Sequence, residues 1–214
     1  ILNELENVSN RLSVLKRENG QWIRTPLETH PFGSVSVTGI DPDESDDYFM
    51  TVTDFLTPSS LYLGSIGGTA REKLKHLPAF FEAEGLEITQ HEVKSKDGTS
   101  VPYFRVSRKG LELNGQNPTL LYGYGGFEIS MLPAYNPSVG SAWLERGGVY
   151  VLANIRGGGE FGPKWHNAAR KQNRQRAYDD FIAVAEDLLG RRVTSSRHLG
   201  IQGGSNGGLL MGVM

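Results

Sequence analysis

The sequence of 214 residues contains no cysteine. It therefore has no disulfide framework and no metal site built from cysteine thiolates. The absence of cysteine fits a reducing compartment, so we expect a cytoplasmic location. Periplasmic and secreted locations stay open as alternatives, because a targeting signal upstream of these residues would not be visible.

An excess of charge of either sign is also missing. The chain has 22 lysine and arginine residues against 24 aspartate and glutamate residues, a formal net charge of -2. This near balance offers no electrostatic basis for binding nucleic acid or an anionic membrane surface. No apolar run approaches the roughly 20 residues of a membrane-spanning helix. We therefore expect neither nucleic acid nor a membrane among the partners of this chain.

Both ends of the sequence resemble interior segments of a longer protein. The first residue is Ile1 rather than methionine, and residues 1–10 have neither the basic nor the apolar region of a signal peptide. Residues 209–214 are apolar and look like the middle of a helix. We therefore expect the chain to be a fragment.

The first part of the chain is typical of short antiparallel strands. Asn19-Gly20 between two alternating segments predicts a tight hairpin. About four or five such strands suit one blade of a β-propeller or a small sandwich. The predicted strands are Arg11–Arg17, Gln21–Arg24, Ser34–Ile40, Tyr48–Phe55 and Ser60–Ile66.

The pattern changes near residues 70–85, which we expect to form a partly helical connector. Beyond it, nearly continuous apolar strands are typical of a parallel sheet covered on both faces. The clearest predicted helix is Ala177–Leu189, with Ile182 in its apolar stripe and Gly190 at its C-cap. Strands that alternate with helices predict an α/β fold. The predicted strands are residues 87–94, 101–107, 119–124, 148–155 and 198–202, and a last helix begins at Asn206.

One glycine cluster imitates a dinucleotide-binding fingerprint. Residues Gly157–Gly162 read G-x-G-x-x-G and follow a predicted strand. Pro163 follows without a strong helix pattern, although the fingerprint should open a helix. Asp179 lies inside a predicted helix, although the ribose-binding acid should end a strand. We therefore expect no cofactor.

Two charged segments have simple interpretations. Residues Asp41–Asp47 resemble a calcium loop only faintly, because Asp46 stands where glycine is needed and Val52 stands where glutamate is needed. We interpret them as a solvated acidic turn and expect no metal. A basic stretch precedes the main helix and is interpreted as exposed surface; it comprises Arg170, Lys171, Arg174 and Arg176.

The segment Gly203–Gly207 carries the sharpest chemical signal. It reads G-x-S-x-G between a predicted strand and an apolar helix, as in a nucleophile elbow. Such a turn pushes the Ser205 hydroxyl out above the sheet, and small residues are needed on both sides of it. The helix directs its first amides at the same point, so the backbone N–H of Asn206 is predicted to bind a developing oxyanion.

A second glycine cluster, Tyr122–Phe127, follows an earlier strand. In α/β-hydrolases the other oxyanion donor comes from the loop after the third strand. Glycines in such a loop let a substrate approach the backbone closely. We therefore expect this loop to face Ser205.

Three segments together resemble the catalytic domain of the prolyl oligopeptidase family: "LLYGYGGF" (Leu120–Phe127), "ANIRGGGEFG" (Ala153–Gly162) and "GGSNGG" (Gly203–Gly208). The resemblance implies that Ser205 is the nucleophile of a serine peptidase, that the Tyr124 hydroxyl and the Asn206 N–H bind the oxyanion, and that Phe127 lines the pocket for proline. It also implies cleavage of short peptides after proline through an acyl-enzyme.

The resemblance divides the chain into two predicted domains. Residues 1–78 would be the C-terminal part of a β-propeller and a connector, and residues 79–214 the N-terminal part of an α/β-hydrolase domain. The partners implied are a short peptide substrate and the remaining hydrolase and propeller segments of the parent chain.

A base and an orienting carboxylate for Ser205 are missing from these residues. In α/β-hydrolases both follow the serine along the chain, and residues 206–214 contain neither an acid nor a histidine. None of the five histidines present is expected to act as the base; they are His30, His76, His91, His166 and His198. We therefore expect the fragment alone to be inactive.

Three alternatives to a proline-specific peptidase stay open. The first is an oligopeptidase with a basic or other P1 preference. The related oligopeptidase B branch, which cleaves after basic residues, has Ser-Ala where this chain has Ser205-Asn206, and that difference favours proline. An esterase-like hydrolase would use the same elbow. A catalytically inactive interaction module is the third alternative.

Overall fold

The computed structural model describes residues 1–29, 32–68 and 70–214. His30 lies outside the described residues. The chain divides into two compact units, one comprising residues 1–79 with 132–136 and the other residues 80–131 with 137–214.

The first unit consists of two antiparallel sheets. The predicted hairpin is confirmed, because Asn19 and Gly20 join two paired strands and both have positive φ, 48° and 81°. The sheet of three strands has the order β1-β2-β3: β1 (Leu2–Glu6), β2 (Ser9–Glu18) and β3 (Gln21–Leu27). The sheet of four has the order β4-β5-β6-β7: β4 (Ser34–Gly39), β5 (Asp47–Thr53), β6 (Ser60–Ser65) and β7 (Glu72–His76).

The predicted helical character of the connector is wrong. Residues 72–76 form the edge strand β7, which pairs antiparallel with β6. The local sequence Glu-Lys-Leu-Lys-His is rich in helix formers, but pairing with the free edge of β6 outweighs this weak preference. The unit therefore has seven described strands in two sheets instead of about four or five.

The core of the first unit is small and apolar. Leu12, Val35, Tyr48 and Met50 are buried against one another. The acidic segment between β4 and β5 forms a turn, in which the Asp41 carboxylate accepts backbone N–H bonds from residues 43 and 44 at 3.1 and 3.2 Å. The interpretation of this segment as an acidic turn is confirmed.

The second unit is built on a mixed sheet with the order β12-β10-β11-β9-β8. The predicted parallel arrangement is confirmed, since β10 pairs in parallel with both β11 and β12. The carboxyl ends of these parallel strands therefore lie at one edge. The strands are β8 (Leu86–Lys94), β9 (Ser100–Arg108), β10 (Thr119–Tyr122), β11 (Val149–Ala153) and β12 (Leu199–Gln202).

Four helices accompany this sheet in the described residues. The first, α1, is a short turn that continues as a π-helical turn over Gly140–Leu144. A 3₁₀ turn at Lys171–Asn173 precedes α3. The helices are α1 (Pro137–Val139), α2 (Pro163–Asn167), α3 (Gln175–Gly190) and α4 (Asn206–Val213). None of the helices in the described ranges is long and apolar enough to cross a membrane.

Helix α3 packs on the sheet through residues spaced three and four apart. Ala177, Phe181, Val184 and Leu188 are all buried at about 1% exposure or less, which matches one face of a helix. Ile182, predicted in this stripe, is 39% exposed and lies off the buried face.

The predicted C-cap of α3 at Gly190 is wrong by one position, because the C-cap is Arg191. Gly190 is still helical, and Arg192 takes the left-handed conformation with φ 57°. The N–H of Val193 bonds to the carbonyl of Leu188 at 3.0 Å, and the N–H of Arg192 to that of Leu189 at 2.9 Å. These bonds form a Schellman motif.

Candidate active site

Ser205 lies between β12 and the first residue of α4. Its backbone has φ 52° and ψ -117°, a combination that strains any residue except glycine. Its side chain is exposed. The amide of Asn206 opens α4, and a helix has no carbonyl of its own for its first amides. The bend thus presents an exposed hydroxyl beside a backbone donor at a helix N-terminus.

Two glycines make this bend sterically possible. A Cβ at Gly203 would lie 2.5 Å from the carbonyl oxygen of Gly207, and a Cβ at Gly207 would lie 2.6 Å from the carbonyl oxygen of Gly123. Both distances are too short for any side chain. The turn therefore closes on itself and on the loop after β10 through bare backbone, as the G-x-S-x-G pattern requires.

The loop after β10 is bonded to the elbow through the side chain of Asn206. Its Nδ2 donates to the carbonyl oxygen of Tyr124 at 2.6 Å. A Cβ at Gly126 would lie 2.5 Å from Asn206 Nδ2. Tyr124 is half-buried. The two predicted oxyanion donors thus belong to segments in direct contact.

Phe127 ends this loop in a conformation that displays its ring. Its φ is 55°, and Glu128 follows with φ 58°. The residue is 73% exposed. Phe127 borders a cavity of about 390 Å³ next to Asn206. The ring predicted to contact proline therefore lies open to solvent at the edge of a cavity.

The loop after β11 packs directly on the loop after β10. Gly157 has φ 97°, and a Cβ there would strike the carbonyl oxygen of Gly125. The N–H of Glu128 donates to the carbonyl oxygen of Gly157 at 3.2 Å. His166 Nδ1 lies 2.6 Å from the same oxygen and 3.1 Å from the Glu128 nitrogen. These contacts give His166 a structural role between the two loops.

The dinucleotide pattern in this loop has a different structural basis. One expectation is wrong, because helix α2 does begin at Pro163. Proline suits the first turn, since its missing N–H would have had no partner there. The helix has only 5 residues, and Asp179 lies within α3, where it accepts a bond from Gln175 at 2.9 Å. Close contact between loops accounts for Gly157, Gly158 and Gly159, and a φ of 76° accounts for Gly162.

A buried arginine fixes the start of the same loop. Arg156 Nη2 donates to Asp180 Oδ1 at 2.6 Å, and Arg156 Nη1 donates to Asp97 Oδ2 at 2.6 Å. Asp180 is fully buried on α3. The guanidinium holds the pKa of Asp97 well below its usual range through this hydrogen bond. Through these two ion pairs, Arg156 attaches the loop after β11 to α3 and to the turn between β8 and β9.

Glu160, in the same loop, carries a buried carboxyl group that sequence reasoning missed. Oε1 accepts the backbone N–H of Met131 at 2.9 Å and Asn154 Nδ2 at 3.4 Å. Oε2 is buried and has no hydrogen-bond partner among the described residues, and the same holds for Asn154 Oδ1. Burial raises the pKa of Glu160 above its ordinary value. A proton on this carboxyl group would therefore be retained to higher pH than in solvent.

The interpretation of the basic stretch as exposed surface is wrong for one residue. Arg170, Lys171 and Arg176 are exposed, but Arg174 is half-buried. Its guanidinium donates to the carbonyl oxygen of Gly125 and, at 3.3 Å, to Asn206 Oδ1. It also lies 5.3 Å above the centre of the Tyr178 ring. The spacing of four residues between Arg174 and Tyr178 is the sequence signal that could have identified it.

The other described histidines are engaged away from this site. His76 Nδ1 contacts the carbonyl oxygen of Leu77, and His198 Nδ1 contacts Ser195 Oγ, at 3.0 and 2.9 Å. His91 stacks on Tyr103 at 5.3 Å, and burial lowers its pKa. The described residues contain no group of three or more histidines and acids able to hold a metal ion.

These features define the class of the site. An exposed serine on a strained strand–turn–helix bend, at the carboxyl ends of parallel strands, has the geometry of the nucleophile elbow of the α/β hydrolases. Residues 135–214 match the prolyl oligopeptidase family. The chain is 52% identical over 213 residues to an uncharacterized peptidase, y4nA, of Sinorhizobium fredii. Residues 135–214 therefore belong to the prolyl oligopeptidase family.

Further similarities agree with this assignment. The chain is 37% identical over 195 residues to a prolyl endopeptidase of Elizabethkingia meningoseptica, which covers 91% of the chain. A post-proline cleaving enzyme from Rickettsia typhi superposes with a TM-score of 0.87 at 37% identity over 99% of the chain. The chain spans 29% of the Sinorhizobium protein, 27% of the Elizabethkingia enzyme and 30% of the Rickettsia structure.

Substitution of Gly207 by alanine is expected to destabilise the second unit by about 1–3 kcal/mol, because the new methyl group collides with the Gly123 carbonyl. Gly208→Ala is the matched control. Its Cβ would lie 3.7 Å from the nearest atom, inside α4, so alanine is expected to stabilise by up to about 1 kcal/mol. Denaturant unfolding of both variants tests this. Equal effects would contradict the close contact.

Glu160→Gln is expected to change how stability depends on pH. The pKa of Glu160 is raised in the folded chain, so the unfolded chain ionises first, near the ordinary value of 4.5. The parent protein therefore loses stability relative to the variant as the pH rises from 4.5 towards the raised pKa, and the difference then levels off. Unfolding at several pH values measures this, with exposed Glu186→Gln as control. A difference independent of pH would refute the assignment.

Proposed function

We propose that this chain supplies the nucleophile and the oxyanion site of a serine endopeptidase that cleaves short peptides after proline. The observation that carries the proposal is the strained, exposed elbow at Ser205, bonded through Asn206 to the loop of Tyr124. The names of relatives support the substrate class, since they include a prolyl endopeptidase and a post-proline cleaving enzyme.

In the proposed reaction, Ser205 Oγ attacks the carbonyl carbon of the scissile bond as a base removes its proton. The carbonyl oxygen becomes an oxyanion, which accepts hydrogen bonds from the Asn206 N–H and the Tyr124 hydroxyl. Loss of one such donor typically costs about 2.7–4 kcal/mol of transition-state stabilisation. The intermediate then expels the protonated amine and leaves an acyl group on Ser205, which water hydrolyses.

The base and its orienting carboxylate are proposed to lie beyond these residues in the parent polypeptide. The order serine, acid, histidine along α/β-hydrolase chains supports this. So do the hydrogen bonds of His76, His166 and His198, each of which contacts a backbone or hydroxyl group nearby. The 214 residues alone would then bind substrate poorly and turn over none.

Preference for proline is proposed to arise from Phe127. A rigid apolar ring suits the flat apolar pyrrolidine, because the two faces can stack without any polar group being buried. The exposure of this ring beside Asn206 supports a role in contacting substrate. The first unit, by the resemblance of residues 1–78 to the end of a β-propeller, is proposed to belong to a domain that restricts access to short peptides.

Replacement of Ser205 by alanine is expected to abolish labelling of the full-length parent protein by a fluorophosphonate, because the probe reacts only with an activated serine. Ser196→Ala, a substitution at an exposed serine on the same unit, is expected to keep full labelling. In-gel fluorescence measures both. Labelling that survives Ser205→Ala would contradict the assignment of Ser205 as the nucleophile. Turnover by the 214-residue chain alone would contradict the proposal that the base lies elsewhere.

Peptide substrates that differ only at P1 test the proposed specificity. The full-length protein is expected to prefer proline to arginine, and Phe127→Ala is expected to lower kcat/KM for the proline substrate by about tenfold or more. Phe127→Tyr keeps the ring and is the matched control, with activity close to that of the parent. A preference for arginine, or no loss in Phe127→Ala, would contradict the proposal.

A further inference from the structure

Arg174 reaches from the N-cap of α3 to both halves of the site. One arm of its guanidinium donates to the carbonyl oxygen of Gly125, next to Tyr124. The other arm, Nη2, donates to Asn206 Oδ1 at 3.3 Å. A single side chain therefore touches the loop after β10 and the residue after Ser205.

The geometry of the arginine makes this contact rigid. A guanidinium is planar and presents its N–H groups at fixed angles, so two acceptors bound by its two arms are held at a fixed separation. The cation also lies 5.3 Å above the Tyr178 ring, a favourable placement over an aromatic face. Tyr178 is itself half-buried on α3, so the helix supports the guanidinium from behind.

The orientation of the Asn206 amide follows from this contact. A guanidinium has donors only, so the oxygen of the amide must face Arg174 and the nitrogen must face away. In that orientation Nδ2 donates to the carbonyl oxygen of Tyr124 at 2.6 Å. The amide thus bridges Arg174 to the backbone of Tyr124, and a reversed amide would place like groups against each other at both ends.

We propose that Arg174 is a positioning residue for the oxyanion site. It sets the distance and orientation between the Tyr124 segment and the side-chain amide of Asn206, and thereby positions the backbone N–H of Asn206. The inference rests on the proposed function, because it concerns the two donors of that reaction. No described contact links the guanidinium to the Ser205 hydroxyl, so its effect passes through the groups that it holds.

A role of this kind differs from a purely structural one in what it affects. Displaced oxyanion donors weaken binding of the transition state, while binding of the substrate in its ground state is largely retained. A residue that only stabilised the fold would lower thermal stability and reduce all activities together. The comparison of a transition-state mimic with a ground-state mimic therefore separates the two.

The test uses the full-length parent protein and two inhibitors, a peptidyl prolinal and the matching prolinol. The aldehyde adds Ser205 Oγ reversibly and places an oxygen where the oxyanion forms, and the alcohol cannot. Arg174→Gln is expected to lower kcat by about tenfold or more with KM within about threefold, and to weaken the aldehyde by the same factor while the alcohol binds as before. Arg176→Gln, which removes a neighbouring exposed charge, is expected to match the parent protein.

A second variant separates geometry from charge. Arg174→Lys keeps the cation but cannot hold two acceptors with a planar group, so its ratio of aldehyde to alcohol affinity is expected to fall as in Arg174→Gln. Thermal midpoints of both variants are measured alongside. A parent-like ratio in Arg174→Lys would refute positioning by the planar guanidinium.

The proposed function and the role of Arg174 fail in distinguishable ways. A parent protein that neither hydrolyses the peptide nor prefers the aldehyde would overturn the proposed function. A parent protein that does both, combined with an unchanged affinity ratio in a folded Arg174→Gln, would overturn only the role of Arg174.

Discussion

The other features of this site follow from a close approach of main-chain atoms at the carboxyl ends of the parallel strands β10, β11 and β12. The segments that follow β10, β11 and β12 contact one another through glycines, and the contacts of Gly207 on Gly123 and of Gly157 on Gly125 leave no room for a Cβ. The contact of Gly203 on Gly207 within the bend leaves none either. The parallel strands β10, β11 and β12 bring these loops to one edge because all three end there. Ser205 keeps its strained conformation because these contacts hold the backbone on both sides of it. An isolated turn would relax to a less strained conformation.

Loops made of glycine have few side chains with which to hold themselves, and α3 compensates for this. Its Asp180 accepts a hydrogen bond from the guanidinium of Arg156, which lies at the start of the loop after β11. Its N-cap residue, Arg174, donates to the carbonyl of Gly125 and to Asn206. The buried stripe of α3 fastens the helix to the sheet, so charge-assisted hydrogen bonds hold two glycine-rich segments against a fixed helix.

The differences between expectation and structure share a physical cause. The edge strand β7 was expected to be partly helical, the C-cap of α3 was placed at Gly190, and Arg174 was assigned to the surface. Each expectation rests on local composition. The structure instead depends on the edge of β6, on the Schellman bond from Val193 to Leu188, and on the carbonyl of Gly125. Propensities are too weak to predict such outcomes.

The α/β class, the order of strands and helices around the elbow, and the need for small residues on either side of Ser205 could all be predicted from the sequence. These properties follow from periodicity and from the steric demands of a single turn, which are encoded within a few neighbouring residues. The folded chain was needed to see which loops meet, that the Asn206 side-chain amide bonds to Tyr124, and that Arg174 and Arg156 hold the glycine-rich segments. These contacts join residues far apart along the chain, and their geometry depends on the sheet that brings them together.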